Sequence, residues 1–298
     1  RLMPRRHSAA HASRGRLFVV FAVTAGVLVV EFLGGLAANS LALLADAGHL
    51  ATDAAGVGLA LLAIWIGSRP ADGSRTFGLL RLEILAAVVN AVLLFGVSAF
   101  VLMEAWRRWM EPPEVTSGLM LAVAVFGLVA NGVSLWLLRD ARHASLNDGG
   151  AYLEVLGDFL GSIAVIGAAV VIAATCFHAA DALASAVIGL AILPRTWALL
   201  RDAVDVLLEA TPRDVDLGEV RRHILEAPGV AAVHDLHAWT ITSGMNVVSA
   251  HVILVEEAEP PAVLDHLCRC LSGVFDIEHS TFQLETADRR RLEEVGHP

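Results

Sequence analysis

Long apolar runs occupy residues 17–38, 41–66, 84–103, 119–138 and 151–177, and a sixth begins at 180–193 and continues amphipathically to about 208. A helix needs about 20 residues to cross roughly 30 Å of hydrocarbon, and each run approaches or exceeds that length. Pro194 interrupts the sixth and makes it the weakest of the set. The first run is too long and too poorly terminated for a cleavable signal, and other spans follow it. Six spans put both chain ends on one side. Arg1, Arg5, Arg6, Arg14 and Arg16 precede the first run, Arg69, Arg75 and Arg81 follow the second, Arg139 and Arg142 the fourth, and Arg195 and Arg201 the sixth. The alternate loops are poorer: 37–40 and 178–181 hold no Arg, and Arg107 and Arg108 are offset by Glu111 and Glu114. By the positive-inside rule both termini are cytoplasmic.

After Pro212 the pattern changes. A helix is predicted over 217–227, a strand over 230–242, a turn at Ser243-Gly244, a strand over 246–255, a helix over 261–273 and a strand over 280–285. Val247, Ser249, His251 and Ile253 alternate with Val248, Ala250, Val252 and Leu254, as in a half-buried strand. The order α-β-β-α-β suggests a small α+β domain with its helices on one face of the sheet. About 85 residues is marginal for independent folding, so dimerisation would help. The expected organisation is a cytoplasmic N-terminal tail (1–16), a six-helix transmembrane domain (17–211), a cytoplasmic α+β domain (212–288) and a C-terminal tail (289–298).

Composition agrees. Of 298 residues, 56% are hydrophobic and 17% charged, with a mean hydropathy of +0.65. Soluble domains carry roughly 25% charged residues, so a freely soluble enzyme is excluded, and so is disorder. The net charge of −10 disfavours nucleic acid as a partner. That charge is unevenly spread: residues 212–298 hold 7 Arg against 15 Asp plus Glu, a balance of −8, and seven of the 12 His. Cys176, Cys268 and Cys270 are too few for a disulfide framework or a Cys-rich zinc module.

Against this background a few polar residues stand out. His49 and Asp53 are four apart in the second span, and Glu154 and Asp158 repeat the spacing in the fifth. Residues at i and i+4 project from one face of a helix. An ionisable group inside a span is costly and marks an ion or proton path. Two helices presenting such pairs can converge on four N/O ligands, the number that suits a tetrahedral divalent transition metal. One isolated pair would read as a structural hydrogen bond or a helix end facing water; two matched pairs count against that. Glu31 and Asp46 are ambiguous, with Glu31 read as a helix-packing group, and Asn90 and Asn131 read as interhelical hydrogen-bonding groups. Gly34, Gly35, Gly48, Gly56, Gly157 and Gly161 would let helices approach closely.

These residues resemble the cation diffusion facilitator family, divalent metal–proton antiporters, over nearly the whole chain. The resemblance is carried by Glu31-Phe-Leu-Gly-Gly, Asn39-Ser-Leu-Ala-Leu-Leu-Ala-Asp46-Ala-Gly-His49 with Asp53, Arg75-Thr-Phe-Gly, and Arg81-Leu-Glu83-Ile-Leu-Ala. It continues through Leu146-Asn147, Gly150-Ala-Tyr-Leu-Glu154 with Asp158, and Leu207-Leu-Glu209-Ala-Thr-Pro212. In the tail it rests on Val233-His234-Asp-Leu-His237-Ala-Trp239-Thr, Ser249-Ala-His251-Val and Glu278-His279-Ser-Thr-Phe-Gln-Leu-Glu285. The pattern is most similar to the bacterial zinc and cobalt–zinc–cadmium efflux branch.

The resemblance implies a homodimer in the inner (plasma) membrane, six helices per protomer and a metallochaperone-like cytoplasmic domain. It implies a transport site of His49, Asp53, Glu154 and Asp158. It also implies a regulatory metal site on the tail strands from His234, His251 and Glu285, with His237, His266 and His279 as second candidates. Arg81 and Glu209 occupy positions of a charge interlock between membrane and cytoplasmic parts. Many zinc-selective relatives have His where Glu154 stands. Three carboxylates and one imidazole give a formal −3, against −2 for a two-His site, and a harder site relaxes selectivity toward Co²⁺, Cd²⁺, Mn²⁺ or Fe²⁺. Zn²⁺ is the first expectation, both as cargo and in the tail. A peripheral site of one Asp and two His in some relatives is missing here: Asp72 is present, but Gly78-Leu79-Leu80 supplies no His. His143 stands alone where many eukaryotic relatives have a His-rich loop.

Metal ligands bind deprotonated, so loading releases protons and the two compete for the same groups. Alternating access would then make proton influx drive metal out. A membrane metalloenzyme needs an open coordination position and a general base, and no H-E-x-x-H pattern appears. A non-transporting membrane metal sensor explains the His-bearing tail but not ligands within two spans.

Overall fold

The computed structural model describes residues 6–139, 146–277, 279–286 and 288, with side chains from residue 19 onward except 146–150. His143, Glu278 and the 289–298 tail lie outside the described residues. Six long helices come first: α1 (Arg6–Ala38), α2 (Leu41–Gly67), α3 (Leu82–Met110), α4 (Ser117–Leu138), α5 (Leu146–Thr175) and α6 (Ala179–Leu207). All six are long and apolar enough to cross a membrane. Phe32, Trp65, Phe100, Trp136 and Leu160 are at least half exposed on them, which is the surface of a protein whose solvent is lipid. The chain is a multi-pass membrane protein with a small α+β domain at its end. α1 starts ahead of the apolar run, and α6 passes through Pro194 without a break.

The chain divides into two compact units, Arg1–Gly58 with Val89–Ala198 and Leu59–Val88 with Leu199–Pro298. In the first, α4 packs against α5 and α1, around a core that includes Leu43, Val101, Met120, Val165 and Ile188. Close helix approach depends on small residues. A Cβ on Gly127 of α4 would fall 2.6 Å from the Glu31 carboxylate of α1, and one on Gly56 of α2 would overlap Asn90 of α3. Glu31 is thus packed tightly against α4. Among the described residues Asn90 Oδ1 and Asn131 Nδ2 are buried without hydrogen-bond partners.

The start of α2 is held from a distance. Asp181, buried at the start of α6, accepts hydrogen bonds from Ser40 Oγ (2.6 Å), Leu41 N (2.7 Å) and Ala42 N (3.2 Å). A helix N-terminus has orphan N–H donors and a positive dipole end, and a carboxylate satisfies both. Arg108 Nη1 reaches the Asn39 carbonyl at 2.8 Å and lies 3.8 Å from Asp181.

The second unit contains the small domain: α7 (Leu217–Glu226), β1 (Val230–Thr242), β2 (Met245–Leu254), α8 (Pro260–Phe275) and β3 (His279–Glu285). Asp216 caps α7 by accepting from Gly218 N and Glu219 N. The sheet order is β1-β2-β3, antiparallel then parallel, with α8 as the crossover. Val248, Ala250 and Val252 face a core shared with Val220 and Ile224 of α7 and Val263, Leu267 and Leu271 of α8. Both helices cover one face, and the polar residues of the alternation, Ser249 and His251, point away. Cys268 and Cys270 are free and do not pair.

Within this unit Arg81 pairs with Glu209 at 2.8 Å, so the expected interlock partners do meet, in an exposed ion pair. A second link was not anticipated. The Glu83 carboxylate, at the start of α3, accepts from Thr242 Oγ1 and Ser243 Oγ at the β1–β2 turn. Asp72 is committed locally: its Oδ1 accepts from the Ser74 hydroxyl, Ser74 N and Arg75 N. The Ser74 bonds, with Arg75 behind them, hold its carboxyl below the usual carboxylate range.

Candidate metal transport site

His49 and Asp53 lie one turn apart on α2, and Glu154 and Asp158 one turn apart on α5. His49 Nε2 is 3.5 Å from Asp53 Oδ2, and Asp53 of α2 and Glu154 of α5 line one cavity. Asp158 is almost completely buried. Glu154 and Asp158 line two cavities. One, of about 340 Å³, is bounded by α1, α2 and α5 and includes Asp53; the other, of about 260 Å³, is bounded by α2, α5 and α6 and includes His49 and Asp46. Glu154 and Asp158 are thus shared by both cavities, with Asp53 on the larger and His49 on the smaller. The four are not drawn into one tight cluster: among the described residues the only trio of His, Cys or acidic groups with ligand atoms all within 4.8 Å lies elsewhere. His49 Nδ1 is buried without a hydrogen-bond partner among the described residues. An orphaned imidazole nitrogen amid carboxylates in a low-dielectric setting is costly unless something cationic visits it.

The arrangement includes one residue that the spacing did not reveal. Arg195 of α6 places Nη2 3.2 Å from Glu154 Oε1 and lines the smaller cavity. In sequence it reads only as a positive-inside arginine, and no periodicity links α6 to α5. Asp46, buried, lines the smaller cavity beside His49 and Asp158, and Glu31 is buried on α1. The metal-ligand pattern does not include them, and neither enters the trio described next.

That trio is His234, His251 and Glu285 on the small domain's sheet. His234 and His251 are cross-strand partners, and Glu285 is two residues beyond Gln283, the β3 partner of His251. A period of two puts all three on the face opposite the helices. His234 Nε2 is 3.2 Å from Glu285 Oε2, and His251 Nδ1 is 3.1 Å from Glu285 Oε1. The His rings meet edge to face at 5.1 Å. A bulge between His234 and His237, with Asp235 in the left-handed region (φ 50°), re-aims the strand. It places Asp235 Oδ1 3.0 Å from His237 and Oδ2 3.7 Å from His251. His237 thus joins the margin of the cluster. His266 lines a separate cavity by α8, and His279 packs on Phe77 at 5.5 Å, so neither does. Asp235 carried no signal in the sequence because its placement depends on the bulge.

The chain matches the cation efflux transmembrane domain over residues 17–208 and the cytoplasmic domain of cation efflux proteins over 212–287. It is 45% identical to the metal cation efflux system protein CzcD of Cupriavidus metallidurans, covering 94% of this chain and 89% of that protein. It is 42% identical to the zinc transporter ZitB of Escherichia coli, covering 91% and 87%. To the cadmium, cobalt and zinc/H⁺–K⁺ antiporter of Bacillus velezensis it is 36% identical, covering 96% and 93%. A solved structure, the metal-bound C-terminal domain of CzcD, is 44% identical and covers 24% of this chain and 99% of that one, with a TM-score of 0.23. Matched in both domains and in their order, the chain belongs to the cation diffusion facilitator family of metal cation efflux transporters, which are not enzymes.

Proposed function

We propose that this protein exports Zn²⁺ from the cytoplasm in exchange for protons, through His49, Asp53, Glu154 and Asp158. The observation that carries the reading is that these four residues line two adjoining cavities, Glu154 and Asp158 both of them, with His49 Nδ1 unpartnered among the described residues. A metal bound there replaces protons, because imidazole and carboxylate bind metal deprotonated. Access from either side in turn would then make inward proton movement expel metal. The relatives support this choice: one is a zinc transporter and another a cadmium, cobalt and zinc/H⁺–K⁺ antiporter. A broad-range exporter of Co²⁺, Cd²⁺, Mn²⁺ or Fe²⁺ is the second reading, favoured by the carboxylate of Glu154 in place of a second imidazole.

The protein works as a homodimer in the inner membrane of a bacterium with both termini cytoplasmic. The arginine distribution and the dimeric role of the matched cytoplasmic domain support this. His234, His251 and Glu285 bind a regulatory Zn²⁺ in the tail, where two neutral imidazoles and one carboxylate supply three of four tetrahedral positions. The test is purified protein in vesicles with an imposed pH gradient. Zinc flux should follow the gradient, and flux indifferent to it overturns the exchange. Competition between metals for the purified protein decides between zinc and a broader range.

A further inference from the structure

We propose that Arg195 is the internal counter-cation of the transport site: it holds Glu154 while the site is empty and must give it up when a metal loads. The inference rests on the assignment of His49, Asp53, Glu154 and Asp158 as the transport ligands.

α6 supplies no ligand to that set, yet it sends one guanidinium into the same cavity as His49, Glu154 and Asp158. The 3.2 Å contact with Glu154 occupies an oxygen that a metal would need. Arginine stays protonated at any physiological pH, so this charge is permanent, unlike that of a lysine or histidine in the same place. Charge arithmetic gives the pair a purpose. Asp53, Glu154 and Asp158 contribute −3 with neutral His49, and Arg195 returns the total to −2. That equals the count for a site of two imidazoles and two carboxylates, and a divalent ion neutralises it. The glutamate that departs from the two-His pattern is therefore offset by an arginine from a third helix.

The pair is also built to break. Arg195 is 58% exposed and Glu154 34%, so the guanidinium can swing aside on its long stem. A single guanidinium–carboxylate contact on a long flexible stem can yield to a divalent cation that takes the same oxygen. Because metal and arginine compete for one carboxylate, Arg195 lowers affinity and speeds release. It is a positioning residue that sets affinity and selectivity rather than a ligand.

The experiment measures Zn²⁺, Co²⁺ and Mn²⁺ binding and flux in the full-length protein for wild type, R195Q, R195M, R195K, E154H and E154H/R195Q. R195Q and R195M both remove the charge, and R195M keeps the apolar stem should glutamine disturb folding. Each should tighten zinc binding about tenfold, lower KM, and reduce maximal flux as release slows. Mn²⁺ should gain relative to Zn²⁺. R195K keeps the charge without the fork and should fall between these variants and wild type. In the E154H background R195Q should change affinity less than about threefold, since the carboxylate it paired with is gone. Unchanged affinity and flux in R195Q and R195M, or an equal R195Q effect in both backgrounds, overturns the proposal. D53A separates this result from failure of the ligand assignment. If D53A still binds and transports zinc, the assignment falls; if D53A abolishes both while R195Q and R195M change nothing, only the role of Arg195 does.

Discussion

In the sheet, His234, His251 and Glu285 are fixed by strand register, with ligand atoms already within 4.8 Å and the carboxylate fully buried between two imidazoles. In the bundle, His49 with Asp53 and Glu154 with Asp158 are fixed only in pairs, by the pitch of two separate helices. Hydrogen bonds lock neighbouring strands, whereas only side-chain packing sets the distance between two helices. A site assembled by packing can open and close without breaking backbone bonds. The difference matches the two proposed tasks: an ion that must leave again needs the looser site, and an ion that reports its own concentration needs the rigid one.

Four experiments bear on that contrast. The largest effect should come from Asp53→Ala or Asp158→Ala. Either should lower zinc flux in vesicles by about a hundredfold or more while the protein stays folded, since one of the four proposed ligands is lost. Sustained flux would place the cargo elsewhere and end the comparison. Glu154→His should keep zinc moving while Co²⁺ and Mn²⁺ fall about tenfold relative to it; an unaltered ranking would show that the third carboxylate does not set selectivity. His251→Ala or Glu285→Gln should remove one metal equivalent per chain, counted by elemental analysis of the full-length protein. Flux should drop only a few-fold, and complete loss would mean that the rigid site belongs to the transport path. The smallest effect is expected from Arg81→Gln. An exposed ion pair contributes about 0–1 kcal/mol, so the melting temperature should barely move, and the exchange Arg81→Glu with Glu209→Arg should restore what is lost.

Much of this architecture is legible in the residues. Six spans follow from the length of the apolar runs and the order of the small domain from its pattern and turns, and the strand predicted over 230–242 has those bounds. Helix ends are less visible. The third run fades at residue 103, yet α3 continues to Met110 because Glu104 pairs with Arg107 (2.6 Å) and Arg108 (3.0 Å). Such i,i+3 and i,i+4 pairs stabilise a helix without adding hydropathy. Pro194 looks like a break and is not one: proline removes a single N–H, and neighbouring helices in lipid tolerate the loss. Arg195, Asp181 and Asp235 escape the pattern for a common reason. Each acts on a residue tens of positions away or across a bulge, and no local spacing encodes that.

Asp181 bears on how the looser site can move. Its carboxylate clasps three donors at the first residues of α2, eight residues before His49. Sliding α2 along its axis would strip those buried donors of their partner, at the cost of leaving buried polar groups unsatisfied. Pivoting about the same end keeps all three bonds. The clasp therefore works as a fulcrum: α2 is a lever anchored at one tip, and displacement grows with distance from it, so Asp53 travels farther than His49 for the same tilt.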